Sequence, residues 1–197
     1  MRKLVISAMF CLAAAAWMAT GPGPAYGSII HDEGVDGDLS DDRLDPTDLV
    51  LAEGTNSLIA TSVSGDREYY TLTVPAGLQL SAVVMFSYSG LDETAFIAVQ
   101  AGTSLTEPPT GTDPENLLGW THFGPGAGNV GDDILDDMGL AEPAIGFSPP
   151  LASGDYTFWS QQTGVNAATY QFDFVVTPEP ATLMLLGLVG VAFRRRR

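Results

Sequence analysis

The sequence has almost no cysteine and very few basic residues. Its one cysteine, Cys11, lies in an apolar stretch near the N-terminus. Disulfide scaffolds, thiol catalysis and cysteine-ligated metals are therefore excluded for the chain that follows it. Of the eight basic residues, only Arg43 and Arg67 lie between Ser28 and Thr177, together with 23 of the 24 acids, so this region carries a formal charge of −21. Nucleic acid and anionic membranes are poor partners for it, because both are bound through clustered Lys and Arg.

Motifs of enzyme active sites are missing as well. The chain has two histidines, and His31 lies in an acidic leading segment, so a Ser-His-Asp triad would depend on His122 alone. No Gly-x-Ser-x-Gly elbow is present to supply a nucleophile. We therefore expect a protein that is not an enzyme, and we keep a hydrolase only as a third alternative.

The first 27 residues have the three parts of a secretory signal peptide. Arg2 and Lys3 form the positive region, and residues 4–18 form the apolar region. The expected cleavage site consists of Ala25, Gly27 and Ser28. We expect signal peptidase to remove residues 1–27, so that the mature chain begins outside the cytoplasm.

The C-terminal segment 177–197 also has three parts in a fixed order. A triplet of Pro178, Glu179 and Pro180 follows the last predicted strand, and the prolines favour an extended linker that a processing enzyme can reach. The uncharged run 181–193 comes next, and its length of roughly 20 Å is short for a hydrocarbon core of roughly 30 Å. The chain ends in Arg194, Arg195, Arg196 and Arg197. We expect a marginal transmembrane helix at 181–193, supported by arginines that reach the cytoplasmic interface.

This order of parts resembles the PEP-CTERM sorting signal of Gram-negative bacteria, a tail that is also labelled an ice-binding protein C-terminal domain. The resemblance implies an exosortase-like membrane protease as a partner and a precursor anchored in the inner membrane. It also implies a final location in the cell envelope, at the cell surface or in the extracellular matrix. It implies nothing about ice, because the middle of the chain lacks a regular array of outward threonines.

The middle of the chain, 49–176, has the alternation of apolar and polar residues that is typical of β-strands. The predicted strands are 49–51, 56–63, 68–74, 78–88, 94–101, 154–162 and 168–176. The short turns at 75–77 and 163–166 predict two hairpins, one on each side of the acidic, Gly- and Pro-rich segment 102–150. We expect the strand 94–101 to be buried on both faces. In the last strand, the side chains expected to face one way are Tyr170, Phe172, Phe174 and Val176.

The predicted fold class is therefore mainly β, an antiparallel β-sandwich or jelly roll flanked by an N-terminal signal helix and a C-terminal transmembrane helix. The acidic leading segment 28–48 is expected to be a loop or an edge segment. Within 102–150, an apolar island at 117–123 and a helical turn at 133–138 are the predicted elements.

The stretch 65–77, which runs Gly-Asp-Arg-Glu-Tyr-Tyr-Thr-Leu-Thr-Val-Pro-Ala-Gly, resembles the central signature of bacterial pre-peptidase C-terminal domains. The stretch 153–159 is similar to the late Gly-x-Tyr strand of the same family. The resemblance covers roughly 45–176 and implies a non-catalytic accessory domain that serves binding, spacing or surface display.

Two acidic clusters are candidate calcium sites, because calcium prefers oxygen-rich loops. The candidate ligands are Asp36, Asp38, Asp42, Asp132, Asp133 and Asp136. The first cluster is not an EF-hand, since Asp41 stands where that loop requires Gly and Thr47 stands where it requires Glu. The alternative is a solvated acidic surface, with the second cluster capping a short helix. We therefore expect no obligatory cofactor and leave calcium open.

Aromatic residues leave a further choice open. Tyr69, Tyr88, Trp120, Tyr156 and Trp159 either stack on sugar rings at the surface or fill the core. Our leading interpretation is a non-enzymatic exported protein that is displayed outside the cell. The alternative is a calcium-dependent carbohydrate-binding or adhesion module with extracellular polysaccharide as its partner.

Overall fold

In the computed structural model, which describes residues 27–180, nine strands form two sheets. The strands are β1 Ser28–Asp32, β2 Thr47–Val50, β3 Gly54–Ser62, β4 Glu68–Val74, β5 Leu78–Gly90, β6 Ala95–Ala101, β7 Gly119–Phe123, β8 Gly154–Gln162 and β9 Ala168–Pro178. Two short helices are α1, Glu33–Asp36, and α2, Leu135–Leu140. One sheet has the order β1-β3-β9-β5, and the other has the order β2-β4-β8-β6-β7.

Consecutive strands mostly lie in opposite sheets. The chain changes sheet at every connection from β1 to β6. Because one strand of the opposite sheet separates each pair, β1 pairs with β3 in parallel, and so does β2 with β4. All other named pairs of the described strands are antiparallel. The mainly β, two-sheet architecture agrees with the expected fold class, and the parallel pairs at one edge of each sheet depart from it.

Both expected hairpins are wrong. β4 pairs with β2 and β8, whereas β5 pairs with β9, so the turn at 75–77 joins the two sheets. Likewise β8 pairs with β4 and β6, and β9 pairs with β3 and β5. Phe158 of β8 and Phe174 of β9 instead meet across the core, with ring centroids 5.6 Å apart. A short turn keeps two strands close, but apolar faces on both strands favour packing face to face over pairing edge to edge.

The inward faces of the two sheets form one aromatic core. Tyr170, Phe172, Phe174 and Val176 of β9 are at most 1% exposed, which confirms the expected alternation in this strand. Phe172 also meets Phe123 of β7 edge-on, with ring centroids 4.8 Å apart. Such pairs stabilise the core beyond the burial of their area.

β6 is buried on both faces, as its apolar run predicted. Ile97 lies in the main core, whereas Ala98 lies on the outer face of the five-stranded sheet in a smaller cluster with Leu105 and Leu117. This outer cluster exists because the segment 102–118 folds back over the sheet. It positions the loop that forms part of the candidate site described below.

The acidic leading segment 28–48 contributes to the folded domain. Ser28, the expected first residue of the mature chain, begins β1 at the edge of the four-stranded sheet, and Leu39 is buried at 3% exposure. Further along the chain, β7 lies within the apolar island 117–123, and α2 overlaps the helical turn predicted at 133–138.

Most of the two predicted targeting segments lies outside the described residues. This applies to the signal peptide up to residue 26, to the predicted transmembrane helix 181–193 and to the arginine cluster 194–197. Within residues 27–180, no helix has the length and apolar character needed to span a membrane.

Candidate functional site

Acidic side chains from separate segments meet beside the turn between β3 and β4. One carboxylate oxygen from each of Glu33, Asp38 and Glu68 lies within 4.8 Å of the other two. The same limit holds for one oxygen from each of Asp38, Asp41 and Asp66. Because Asp38 belongs to both triplets, the five side chains form one connected group, which we name the carboxylate cluster.

Local hydrogen bonds hold the segments that carry this cluster. Asp32 caps α1 with its side chain, which positions Glu33 at the start of that helix. The Glu33 carboxylate accepts a hydrogen bond from the Thr61 amide near the end of β3. Asp66 closes its own turn by accepting from the Val63 amide at 3.3 Å. The Arg67 amide donates to the Asp41 carboxylate at 3.3 Å, so the leading segment is joined both to β3 and to the residue before β4.

Glu68 occupies a position on β4 that an apolar residue would normally take. Tyr70 and Leu72, which share its face of the strand, are fully buried. Glu68 itself is 0% exposed, and neither of its carboxylate oxygens has a hydrogen-bond partner among the described residues. One oxygen of Glu33 is buried in the same way. A charge in such surroundings is costly unless a proton or a cation neutralises it.

Burial and mutual repulsion dominate the electrostatics of the cluster. Burial, followed by the charges of Glu33, Asp66 and Asp38, raises the pKa of Glu68 to about 10. Burial also raises the pKa of Glu33, and the hydrogen bond from Thr61 partly opposes this effect. The pKa of Asp66 is raised by burial as well. Each of these shifts reports a carboxylate that lacks a positive partner.

Of the predicted metal ligands, only Asp38 lies in the carboxylate cluster. Asp36 accepts a hydrogen bond from the Asp32 amide at 2.9 Å, and Asp42 accepts one from the Leu44 amide at 2.9 Å. Both bonds lie within local turns. Neither residue belongs to one of the two acidic triplets that the described residues form.

The second predicted cluster lies elsewhere and holds α2 against β5. Asp133 accepts hydrogen bonds from the Val83 amide at 2.9 Å and from the Leu135 amide at 3.0 Å. Asp132 and Asp136 are exposed, and none of the three joins the acids of the leading segment in a triplet within residues 27–180. Asp133 lies one residue before the N-cap of α2, Ile134, which makes no side-chain capping hydrogen bond.

The cluster members that sequence reasoning did not propose as ligands are Glu33, Asp41, Asp66 and Glu68. Glu68 carried a signal, because the alternation of β4 places this acid on the same face as Tyr70 and Leu72. An ionisable residue at a core-facing position often marks a functional group or a partner ion. The other three carried no such signal, since only the tertiary fold brings them together.

A row of aromatic rings crosses the outer face of the five-stranded sheet. Tyr69 of β4 stacks on Trp159 of β8 with ring centroids 5.9 Å apart, and Phe96 of β6 meets Trp159 at 5.0 Å. The row continues from Phe96 to Trp120 of β7 at 6.1 Å. His122 then meets Trp120 edge-on at 5.8 Å. The row is continuous because adjacent strands each contribute a ring to the same face.

The accessible part of this row lines a groove of about 390 Å³, which we name the aromatic groove. Phe96 and Trp120 are half-buried and His122 is exposed, whereas Trp159 is buried beneath the segment 102–118. That segment supplies the facing wall, which consists of Pro109, Thr112, Pro114 and Leu117. The groove therefore presents ring faces on one side and a proline-rich loop on the other.

The other predicted aromatic residues and His31 differ in whether they reach the groove. Tyr88 and Tyr156 pack against the main core, so Trp120 is the predicted aromatic residue whose exposed surface lines the groove. His31 is buried, and its Nε2 lies 3.0 Å from the Gly37 carbonyl oxygen. This histidine therefore bonds within the leading segment.

The sorting triplet begins inside the last strand. β9 is two residues longer than predicted, and its last residue, Pro178, lies opposite Leu78 of β5. Glu179 donates its amide hydrogen to the Gly77 carbonyl oxygen at 2.9 Å. The triplet, which Pro180 completes, is exposed throughout. It is thus both attached to the sheet and accessible from solvent.

Comparison with known proteins identifies one segment of the chain. Residues 176–197 match the PEP-CTERM protein-sorting motif. No curated protein and no solved structure matches the chain. The motif implies processing by an exosortase-type membrane enzyme. It marks the chain as an exported protein that exosortase sorts to the cell surface.

Proposed function

We propose that this protein is a non-enzymatic surface protein, in which processing at both ends leaves a folded β-sandwich displayed in the cell envelope or the extracellular matrix. Signal peptidase acts before Ser28, and the precursor is anchored in the inner membrane through 181–193 until the exosortase-type enzyme acts. The resemblance of 65–77 to pre-peptidase C-terminal domains supports an accessory role outside the cell.

The observation that carries this proposal is the direct junction between the fold and the sorting motif. Val176, the first residue of the matched motif, is 1% exposed in the core. The exposed triplet begins two residues later, at Pro178. A domain that extends to the edge of its own sorting signal leaves no separate functional unit between the two. The sandwich itself is therefore the part that sorting presents to the exterior.

Fractionation of cells that make an exosortase tests this proposal. When Pro178, Glu179 and Pro180 are all replaced by Ala, we expect the precursor to stay in the inner membrane while the sandwich remains folded. Leu91→Ala serves as a control, since this side chain is 82% exposed and far along the chain from the tail. Unchanged processing and release of the triple variant would exclude a recognition role for the triplet.

The aromatic groove favours a second, compatible function, which is the binding of a neutral extracellular polysaccharide. Sugar rings stack on aromatic faces, and polar side chains beside the rings fix their orientation. Phe96 and Trp120 supply the faces, and Gln161 and His122 line the same groove. A neutral polymer is preferred, because the strongly acidic domain repels polyanions.

Affinity electrophoresis through gels that contain neutral polysaccharides tests the second function. We expect the wild-type protein to be retarded and Trp120→Ala to migrate freely, because the substitution removes one of the two ring faces that the groove offers to a sugar. Val165→Ala, at a side chain that is 81% exposed and outside the groove, should be retarded as the wild type is. Equal retardation of all three proteins would place binding outside the groove, and free migration of the wild type would argue against polysaccharide binding.

A further inference from the structure

We propose that the carboxylate cluster is a calcium site, with Glu33, Asp38 and Glu68 as its ligands. Asp41 and Asp66 form an acidic rim next to Asp38. Such a site would be independent of the aromatic groove and of polysaccharide binding. A divalent cation there would join the leading segment to β4.

Buried carboxylate oxygens in the cluster lack hydrogen-bond donors. Both oxygens of Glu68 and one oxygen of Glu33 are buried without a hydrogen-bond donor among the described residues. Buried carboxylates are normally paired, hydrogen-bonded or bound to a metal. A single proton shared by Glu33 and Glu68 would neutralise one of these two charges and leave the other without a positive partner.

The positive side chains of this region do not supply that partner. Between Ser28 and Thr177 the only basic residues are Arg43 and Arg67. The guanidinium of Arg43 donates to two carbonyl oxygens of the segment 102–118. The Nη1 of Arg67 donates to a carbonyl oxygen in its own turn at 3.2 Å. An external cation is therefore the natural complement to the cluster.

The ligand set selects calcium among the common cations. The three ligands are carboxylates, so the soft sulfur and nitrogen donors that zinc prefers are not part of the triplet. Oxygens on opposite sides of a calcium ion lie about 5 Å apart, and those around magnesium lie about 4 Å apart. One oxygen from each of the three side chains lies within 4.8 Å of the other two, a spacing that a single calcium ion can span. Calcium also accepts the irregular geometry that three different chain segments produce.

A bound ion would attach the leading segment to the sandwich. Glu33 lies on α1 and Asp38 lies in the loop after it, whereas Glu68 is the first residue of β4. One ion would therefore connect the edge of the four-stranded sheet with the start of a strand in the five-stranded sheet. The exterior, to which the sorting motif directs the protein, is where weakly binding calcium modules operate.

Calorimetry on the purified full-length chain in detergent tests the site. The protein is stripped with a chelator and titrated with CaCl₂, and its melting temperature is measured with and without the ion. We expect saturable binding and a rise of several degrees in the melting temperature, because the ion binds only the folded state. MgCl₂ should give a clearly smaller rise.

Matched variants separate specific binding from general charge screening. Glu68→Gln should weaken calcium binding at least about tenfold, since it removes a direct ligand. Glu33→Gln should act in the same direction and serves as a second test in case Glu68→Gln fails to fold. Asp136→Asn removes the same charge at an exposed site outside the cluster and should bind calcium as the wild type does. Equal effects of CaCl₂ and MgCl₂, equal losses in Glu68→Gln and Asp136→Asn, or no saturable binding would each overturn the proposal.

Discussion

Arg43 holds the loop that forms the facing wall of the aromatic groove, and its removal tests how firmly that wall is held. Its Nη1 donates to the Leu105 carbonyl oxygen at 2.9 Å and to the Thr106 carbonyl oxygen at 2.6 Å. The Leu105 amide donates back to the Arg43 carbonyl oxygen at 2.8 Å. We expect Arg43→Ala to loosen the segment 102–118 and to weaken the binding of any ligand in the groove.

The expected size of the effect follows from the exposure of these bonds. A hydrogen bond to a charged donor contributes about 1.5–3 kcal/mol when water is excluded. Arg43 is half-buried and Thr106 is exposed, so water replaces part of what is lost. We therefore expect a loss of about 1–2 kcal/mol in the free energy of unfolding. For a domain of this size, that loss lowers the melting temperature by about 2–8 °C.

Arg67→Ala is the matched control for this experiment. It removes the same charge, but within residues 27–180 the Nη1 of Arg67 donates to the Gly65 carbonyl oxygen in its own turn. In hydrogen exchange, the amides of Leu105 and Leu118, which bond to Arg43 and Val99, should exchange faster in Arg43→Ala alone. Equal losses of stability and protection in both variants would assign the effect to net charge and refute a role for Arg43 in holding the loop.

Two further predictions concern buried rings. Phe172→Ala should lower the free energy of unfolding, measured by urea denaturation, by about 3–5 kcal/mol, because Phe172 is fully buried against other rings. Phe86→Ala, at a side chain that is 56% exposed, should lower it far less. Comparable losses in the two variants would contradict the assigned core. Burial raises the pKa of Tyr69 to about 12, so its contribution to stability is complete below about pH 10 and is lost as the pH rises toward 12. Tyr69→Phe should reduce this loss of stability at alkaline pH, as measured by melting temperatures from pH 8 to 12. The substitution also removes a buried hydroxyl that has no hydrogen-bond partner among the described residues. An unchanged dependence of the melting temperature on pH would contradict this prediction.

Most strand positions could be predicted because those strands carry their own period, whereas β1 and β7 were not among the predicted strands. The alternation in β4 and β9 predicted which residues face the core, and the structure buries Leu72 and Phe172 accordingly. Strand pairing could not be predicted in the same way. The turn at 75–77 is compatible with a hairpin and with a crossing between sheets, and the choice depends on β8 and β9, which lie far along the chain.

The acidic site could likewise be predicted from the sequence only in part. The sequence predicted an oxygen-rich leading segment, but it grouped Asp38 with Asp36 and Asp42 of its own loop. The partners of Asp38 in the structure include Asp66 and Glu68, which the β3–β4 turn brings into reach. Alternation alone could have identified Glu68 as an acid on a core-facing position. No local pattern could have placed Glu33 beside it, since that contact depends on the parallel pairing of β1 with β3.

The prolines of the sorting triplet explain how a central strand can end in an exposed recognition segment. β9 lies between β3 and β5, and its pairing with β3 ends at Val176. Amides of alternate residues point to the same side of a strand, so Pro178 and Pro180 remove the next donors that would continue this pairing. Glu179 points its amide to the other side and makes the bond to Gly77. The triplet therefore stops the sheet and stays extended, so an enzyme can bind it without unfolding the core. Glu179→Ala keeps both prolines and should preserve this ending, which would isolate the contribution of the carboxylate to sorting.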